Sequence, residues 1–489
     1  MVTNALTLMI ICVFAFVPLL LGELARNRSL PTSEDFILQG RRMKILPMYA
    51  TVFSTWMSAF AFIGGMAYFH EQGPIYMTTV GWDALFAILF ISVGKRIWHY
   101  GRVHNYYTPT DFFDDIYDSE ILNLIVTAIS VVCTMIYLQV QIVGGLLAME
   151  ISTGGMISPY MGGIIFFAIL VIYLWAGGLR AVAWTDAFYG ILIIVTIISS
   201  GFFLMKVAGG TDYVFNALIE RDPSNVALTG EEGGNRTAMW LSLFVIVPVG
   251  AFMGPQMWIR NYAAESEKNF YMLPWLLILS SIICVGTLFA GSAGVVLAEG
   301  SGDPDSAFFR LIMEYGPVFF RDFVIVGVFA TIFSTANSQV HALSAVYTMD
   351  VYKRYINRNS SDRKLVSTAK WATLFISAVS YGLMVVIPGS ILDLGVIAMG
   401  GMAQLFIPVM GALFWKRSTA GAAISGIVSG EAAFLISMLL GGGDSSICAI
   451  AGMFVNLFMF VTVVLVDKPR ITVYKKIETY RNEYRQKGY

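Results

Sequence analysis

The sequence predicts an all-α polytopic membrane protein. Hydrophobic residues make up 57% of the 489-residue chain and charged residues only 13%, against roughly 25% charged residues in a typical soluble domain. Apolar runs of about 20 residues, the length that a helix needs to cross a bilayer, recur along the whole chain. A soluble core could not bury so much apolar surface, so the lipid bilayer is the first partner that the sequence requires.

Thirteen apolar runs predict about thirteen transmembrane helices. The first is interpreted as an uncleaved span, because no basic residue precedes it and no small-residue cleavage site follows it. The predicted spans are residues 3–22, 48–69, 77–94, 121–148, 160–176, 185–206, 240–259, 272–298, 322–347, 369–388, 393–414, 420–440 and 446–466.

The basic residues are sorted to one side of these spans. All but five of the 31 Lys and Arg residues fall in the loops of one side or in the tail after residue 467. Arg260 is assigned to one of these loops. The positive-inside rule therefore predicts a multi-pass plasma-membrane protein with its N-terminus outside and its C-terminus in the cytoplasm, in agreement with an odd number of spans.

Two sets of five spans suggest an internal repeat, and a tandem repeat of an odd-numbered unit must return inverted. Each set opens with an interrupted span, which carries Gly64-Gly65 in the first set and Gly254-Pro255 in the second. Such pairs of interruptions point to a site at the bilayer midplane, although Gly and Pro are frequent in membrane helices generally.

The repeat divides the chain into six predicted parts, and the last of them is expected to form a helix on the membrane surface. They are a first helix and cytoplasmic loop (1–47), a first five-helix repeat (48–207), an external loop (208–238), a second five-helix repeat (239–415), two peripheral helices (416–466) and a basic cytoplasmic tail (467–489).

The segment TIFSTANSQVHALS, residues 331–344, carries a polar stripe inside an apolar run. Thr331, Ser334, Thr335 and Ser338 follow the spacing i, i+3, i+4, i+7 and share one helix face. Polar groups at bilayer depth require a partner, which can be protein, water or an ion. Helix packing through Ser and Thr hydrogen bonds is one explanation for the stripe.

A sodium ion is the other explanation. A hard cation prefers oxygen ligands, and a hydroxyl pair together with free backbone carbonyls supplies them without burying a full negative charge. Carbonyls become free where a helix unwinds. Ser54 and Met57 lie at the suspected break of span 48–69, so their carbonyls are expected to face the hydroxyls of Ser334 and Thr335.

Several other polar residues fall inside the predicted spans. Asp83 and Glu431 lie at depth, where an ionisable residue serves either function or a structural hydrogen bond between helices. Asp186 opens a span, where it could also cap the helix. Tyr137 and Gln141 share a helix face and suit a polar cavity.

Two further candidates, Gln256 and Trp258, lie beside the break at Gly254-Pro255. No phosphate-binding loop, no Cys/His set with metal-ligand spacing and no Ser–His–Asp grouping occurs in the sequence. We therefore expect a protein that is not an enzyme, has no organic cofactor, nucleic-acid partner or obligate protein partner, and draws its energy from an ion gradient.

The segments GGLRAVAWTDAFYG (177–190) and FSTANSQVHALSAVYTMDVYKRY (333–355) together resemble the sodium:solute symporter family. The resemblance covers roughly residues 1–467 and includes the number of spans. It implies a core of two inverted five-helix repeats, alternating access, and uptake of a small solute driven by Na⁺ as the coupling ion.

The resemblance also implies roles for individual residues. It implies Na⁺ ligation by the backbone carbonyls of a broken helix and by a carbonyl and two hydroxyls of a later helix. Asp186 corresponds to an aspartate on the inward path of the ion, Arg41 to an arginine of the first cytoplasmic loop, and Tyr137 to a tyrosine that lines the solute site. The matching sodium ligands here are Ser54, Met57, Thr331, Ser334 and Thr335.

Departures from the family pattern bear on the solute. Trp56 stands where the proline carriers have an aspartate, and Pro255-Gln256 replaces the Pro-His step of the pantothenate and acetate carriers. These differences disfavour those solutes, and the absence of Arg or Lys from the predicted depth of the spans disfavours a dicarboxylate. A monocarboxylate or an amino acid is weakly favoured, and a neutral solute stays open.

Two alternatives to a sodium symporter stay open. One is a proton-coupled symporter of the same fold, with Asp83, Asp186 or Glu431 carrying the proton. The other is a solute sensor that does not transport, although the short tail leaves no room for a signalling domain. In the symporter hypothesis, the solute binds between spans 2, 3, 4, 7 and 11.

Overall fold

A computed structural model of the chain describes residues 16–74, 80–227, 233–298, 304–384, 389–441, 443–468 and 471–486. Over these ranges the regular elements are helices, and Met43 and Ala264 form an isolated β-bridge. The first ten helices are α1 (16–26), α2 (Ser33–Leu38), α3 (Ile45–Trp56), α4 (Phe60–Gln72), α5 (81–104), α6 (Pro109–Tyr117), α7 (Glu120–Ser152), α8 (Tyr160–Ile172), α9 (Gly177–Val207) and α10 (Thr211–Arg221).

The described residues after position 227 form ten more helices. They are α11 (Gly233–Met253), α12 (Pro255–Ala263), α13 (Lys268–Leu297), α14 (Pro304–Tyr315), α15 (Val318–Ile356), α16 (Asp362–Met384), α17 (Ile391–Phe414), α18 (Ala420–Gly441), α19 (Ser445–Val466) and α20 (Ile471–Gln486).

Within the described ranges, eight helices are long and apolar enough to cross a membrane, and nine if the bent pair α3 and α4 counts as one span. These nine correspond to nine of the thirteen predicted spans. In the other four, the described parts are helical too. Three of these four, spans 3–22, 77–94 and 369–388, extend beyond the described residues at one end. The fourth, span 160–176, contains the shorter apolar helix α8.

The first interrupted span bends by 52° between α3 and α4. The bend falls at residues 57–59, where Met57 leaves the helical region (φ −78°, ψ 66°). The glycines that suggested an interruption, Gly64 and Gly65, lie just beyond it, at the end of a π-helical turn and the start of regular helix. The last carbonyls of α3 are therefore released from the helix ladder in the interior of the bundle.

The second interruption lies at Gly254, between α11 and α12. The backbone of Gly254 is extended (φ −60°, ψ 138°), and Pro255 occupies the first turn of α12. Proline suits this position because the N–H groups of the first turn have no partner within the helix. The sequence thus predicted both interruptions, the second one to the residue.

Helix α15 lies in the interior of the bundle. Of its most apolar window 72% is buried inside the protein, and of that of α17 78%, against 28% for α18 and 33% for α19, which pack against each other at the periphery. Helix α15 packs against α7, α9 and α3. This central position explains why the stripe of hydroxyls on α15 meets protein rather than lipid.

The loops on the basic side of the chain meet at one end of the bundle, which we call the basic end. Arg41 donates to the carbonyls of Gly101 (3.2 Å) and Tyr106 (2.8 Å), and the backbone N–H of Met43 donates to the carbonyl of Ala263 (3.0 Å). These bonds connect the segment before α3 to the end of α5 and to α12.

The C-terminal helix α20 also packs against the basic end. Val473, Ile477 and Tyr480 are buried, and the ammonium of Lys476 donates to the carboxylate of Asp115 (3.2 Å). The expectation of a membrane-surface helix is therefore wrong, because the apolar face of α20 is covered by α5, α6 and α17.

Candidate functional site

The hydroxyl stripe of α15 faces the broken end of α3. The hydroxyl of Ser334 donates to the carbonyl of Ser54 (2.8 Å), and that of Thr335 donates to the carbonyl of Thr55 (3.2 Å). All four residues are buried. These carbonyls belong to the last turn of α3, where a helix leaves them without intrahelical partners.

Thr331 completes this group of oxygens. Its carbonyl accepts from Ser334 (2.9 Å) and from Thr335 (3.4 Å), while its own hydroxyl donates to the carbonyl of Gly327 (3.0 Å). Backbone carbonyls and hydroxyls with no formal charge thus converge from two helices, and such a donor set suits a hard monovalent cation.

The structure brings the hydroxyl pair of α15 to the end of α3, as the sequence predicted. Ser334 meets Ser54, and Thr335 meets Thr55, a ligand that was not predicted. The signal was available, because each of the last four carbonyls of a helix lacks an intrahelical partner. Met57, the other predicted carbonyl ligand, caps α3 and donates its N–H to Phe53 (2.8 Å).

A charged network lies next to this group of oxygens. The hydroxyl of Thr51 donates to the carboxylate of Asp186 (2.5 Å) and accepts from Arg260 (2.7 and 3.0 Å). The guanidinium and the carboxylate are 3.7 Å apart. Both charged residues are almost completely buried. Thr51 of α3 therefore hydrogen-bonds to both members of a buried ion pair between α9 and α12.

The same guanidinium reaches the stripe on α15. Arg260 donates to the hydroxyls of Thr55 (2.9 Å) and Ser338 and, within its own helix, to the carbonyl of Gln256 (2.8 Å). Arg260 was predicted to lie in a loop, and this prediction was wrong. Helix α12 follows the break at Gly254 and buries its whole length, so it carries the guanidinium into the bundle.

Asp186 is fixed by α3 as well as by α12. The hydroxyl of Ser54 donates to the carbonyl of Asp186 (2.9 Å). Since the carbonyl of the same Ser54 accepts from Ser334, a single residue joins the carbonyl–hydroxyl group to the ion pair. The aspartate that the sequence singled out is therefore in direct hydrogen-bond contact with one of the candidate cation ligands.

A largely apolar cavity adjoins the break between α3 and α4. Residues from α3, α4, α5, α11, α13 and α17 contribute to its wall, but none from α7. The described residues that line it are Trp56, Met57, Phe60, Ala61, Gly65, Tyr68, Phe69, Val80, Trp82, Asp83, Leu243, Val247, Cys284, Thr287, Leu392 and Met399. Asp83 is the one ionisable carboxylate among these residues.

Two predicted solute-lining residues, Tyr137 and Gln141, support the backbone of the break instead of lining this cavity. The hydroxyl of Tyr137 hydrogen-bonds to that of Ser58 (2.9 Å), and the side-chain oxygen of Gln141 accepts from the N–H of Ala59 (3.1 Å). They hold the link between α3 and α4 in place.

The remaining candidates lie elsewhere in the bundle. Gln256 and Trp258 are buried in α12, and the indole of Trp258 packs against Phe112 (5.4 Å between ring centroids), away from the cavity lining. Glu431 on α18 lies near Gly401 of α17. Arg41 pairs with Glu34 (2.7 Å) at the basic end.

Membrane-spanning helices with two interruptions and an oxygen-rich site at one of them define the class of ion-coupled secondary transporters. The sequence model of the family described as "Sodium:solute symporter family" matches residues 36–430 of the chain. The chain belongs to the sodium:solute symporter family, and its activity is the Na⁺-coupled uptake of a solute.

Curated relatives have names that agree with this class. The sodium/pantothenate symporter of Haemophilus influenzae is 26% identical over 428 residues, which cover 84% of this chain and 86% of the relative. The sodium/proline symporter of Escherichia coli is 24% identical over 448 residues, which cover 87% of this chain and 86% of that one.

Solved structures show the same fold. An outward-open, substrate-bound Na⁺-coupled sialic acid symporter superposes with a TM-score of 0.80 at 18% identity, over 95% of this chain and 98% of that chain. The inward-facing structure of Mhp1 superposes with a TM-score of 0.54 at 14% identity, over 89% and 94%.

Proposed function

We propose that Na⁺ binds between the broken end of α3 and the hydroxyl stripe of α15, and that its binding drives the uptake of a small organic solute. The supporting observation is the pairing of Ser334 and Thr335 with the carbonyls of Ser54 and Thr55. The proposed ligands are the oxygens of Ser54, Met57, Thr331, Ser334 and Thr335, with Thr55 as an additional carbonyl.

The coupling follows from the position of α3. An ion that binds these oxygens replaces direct hydroxyl–carbonyl hydrogen bonds with ligation and ties α3 to α15. The next two residues of the chain, Trp56 and Met57, line the cavity. The ion therefore orders part of the cavity wall, and by linkage Na⁺ and the solute raise each other's affinity by the same factor.

The basic end is the proposed cytoplasmic side of a plasma-membrane protein, with the N-terminus outside. Asp186, joined to Ser54 and paired with Arg260, stands on the proposed path by which Na⁺ leaves toward the cytoplasm. Arg41 holds the loops of this side together. Tyr137 and Gln141 influence solute binding indirectly, because they hold the residues between α3 and α4 beside the cavity.

The test is labelled-solute uptake into proteoliposomes under an imposed Na⁺ gradient. A mixed panel of amino acids, short carboxylates, pantothenate and sugars identifies the solute. Ser334→Ala and Thr335→Ala, singly and together, should reduce Na⁺-stimulated uptake at least tenfold. The matched control is Ser344→Ala, whose buried hydroxyl donates to the carbonyl of His341 (2.7 Å) on the same helix.

A proton-coupled carrier is the second candidate, since Asp83 places a carboxylate at the cavity. Uptake driven equally well by a pH gradient in Na⁺-free buffer, and unchanged in the Ser334→Ala/Thr335→Ala double variant, would contradict the sodium proposal. The stripe would then be a helix-packing device.

A further inference from the structure

We infer that the transported solute carries a positively charged nitrogen, which pairs with the carboxylate of Asp83 in the aromatic cavity. This inference rests on the proposed function, because it assigns the solute class of the same carrier. The sequence weakly favoured a monocarboxylate or an amino acid as the solute. The inference disfavours a simple monocarboxylate and keeps the amino acid, which binds through its ammonium group.

The surroundings of Asp83 contain neutral donors. Its Oδ1 atom accepts from the indole N–H of Trp56 (2.6 Å), and the thiol of Cys284 lies 4.0 Å from Oδ2. The side chain is buried, with 3% of its residue surface exposed. No described residue of the cavity wall is Lys, Arg or His, so this part of the wall supplies no positive charge to the carboxylate.

A buried carboxylate that stays ionised without a cationic partner is costly, and a positively charged ligand removes that cost. An anionic solute would meet repulsion from Asp83 in an apolar site where screening is weak. A neutral solute would leave the carboxylate with neutral hydrogen-bond donors alone and its charge uncompensated. A solute ammonium group satisfies the charge, and its hydrocarbon part suits the apolar lining.

Aromatic rings form much of the wall around Asp83. Phe60, Tyr68, Phe69 and Trp82 line the cavity together with Trp56. The indole of Trp56 stacks on Phe86, with ring centroids 4.1 Å apart and planes inclined by 10°.

The bond to Asp83 and the stack on Phe86 together fix the plane of the Trp56 indole. Since Phe86 covers one face of the indole, the opposite face is the one left for a ligand of the cavity that Trp56 lines. Indole faces bind ammonium groups through cation–π attraction, and Trp does so better than Tyr or Phe. The wall and the carboxylate therefore select the same chemical group.

The experiment measures the thermal unfolding of the detergent-solubilised full-length protein in NaCl and in KCl. The panel consists of small solutes of three kinds. Ethanolamine, choline, alanine and proline carry a positive nitrogen, acetate and propionate are anions, and ethylene glycol is neutral. We expect a Na⁺-dependent stabilisation with members of the first group alone, followed by Na⁺-driven uptake of the best of them.

Asp83→Asn is the decisive variant, because it removes the charge but keeps an oxygen that accepts from Trp56. Removing one partner of a buried charge pair weakens binding by about 30-fold or more, and we expect that loss for the amine. Asp444→Asn makes the same change at a half-buried carboxylate outside the cavity lining, where the side chain caps α19 by accepting from the N–H of Ser446 (2.9 Å); it is the control and should keep the preference for amines.

The stabilisation by Na⁺ without solute should persist in Asp83→Asn, which shows that the variant folds and keeps its ion site. Na⁺-driven uptake of an anion that survives in Asp83→Asn overturns this inference and leaves the proposed function standing. Loss of the solute-free Na⁺ response also overturns it, because Asp83 would then be an ion ligand. Uptake that needs no Na⁺ for any solute overturns the proposed function itself.

Discussion

The buried pair of Asp186 and Arg260 predicts a strong energetic coupling that a double-mutant cycle can measure. At 3.7 Å and an effective dielectric constant of about 20, two unit charges attract by about 4 kcal/mol. Asp186→Asn or Arg260→Gln alone leaves one uncompensated buried charge and should cost about 3–5 kcal/mol. The double variant should be more stable than either single variant.

The assay is thermal unfolding of the solubilised protein in Na⁺-free buffer. Unfolding entropy scales with length, so for 489 residues each kcal/mol corresponds to about 1 °C. We therefore expect each single variant to unfold about 3–5 °C lower and the double variant to recover most of that loss. The control is the pair Arg26–Glu23, 2.5 Å apart with side chains 58% and 49% exposed, whose cycle should give less than about 1 kcal/mol.

Additive single losses in the Asp186–Arg260 cycle would refute this reasoning. They would mean that each group is stabilised by its own hydrogen bonds, Asp186 by Thr51 and Arg260 by Thr55 and Ser338, and not by the other charge. The pair would then lose its proposed role as the fixed electrostatic element beside the ion path.

Two further predictions concern packing and the tail. Gly250→Ala should lower the unfolding temperature by several degrees, because a Cβ there would lie 2.0 Å from the carbonyl of Met399, whereas Gly382→Ala, with open space around it, should not. Burial raises the pKa of Asp115, but hydrogen bonds from Tyr106, Tyr480 and Lys476 outweigh it and lower that pKa below its usual 3.8. The docking of α20 should therefore hold at neutral pH and weaken as the pH falls below 3.8.

Hydrogen–deuterium exchange of residues 471–486 measures the docking of α20. Asp115→Asn should raise exchange in this helix at pH 7, while Glu483→Gln on the same helix serves as the control. Equal protection of α20 in Asp115→Asn and the unaltered protein would show that apolar contacts alone hold the tail. A stable Gly250→Ala variant would show that α11 and α17 can separate without cost.

Much of the fold was readable from local patterns. Apolar runs of bilayer length predict helices because a backbone in lipid has to satisfy its own hydrogen bonds. Gly254-Pro255 predicted a break to the residue, since proline cannot continue a hydrogen-bonded helix and suits a helix start. The spacing of Thr331, Ser334 and Thr335 predicted a polar face because helical periodicity is a local property.

Other parts of the site depend on which helices cross. The sequence predicts that Arg260 lies in a loop, since a Lys or Arg after an apolar run normally marks the membrane boundary. Only the packing of α12 against α15 and the meeting with Asp186 bury it. Trp56 and Asp83 are 27 positions apart, and nothing in either segment indicates that an indole donates to that carboxylate.

The C-terminal helix α20 is a second case in which the sequence did not predict the tertiary contact. Its pattern of apolar and basic residues suits a membrane surface as well as a protein surface, because both bury an apolar face and pair with cations. The amphipathic pattern is a property of the segment, but the choice of surface is set by Asp115 of α6 and the ring of Tyr100 of α5, which the chain brings within reach of Tyr480.

By itself, then, the sequence determined the membrane class, the helix periodicity, the breaks and the oxygen-rich face, because each depends on residues within a turn or two of one another. The tertiary structure alone decided which carbonyls the hydroxyls meet, which charges are buried together and which rings surround Asp83. Those contacts join residues up to about 280 positions apart, and their energies depend on burial and distance, which exist only once the helices are packed.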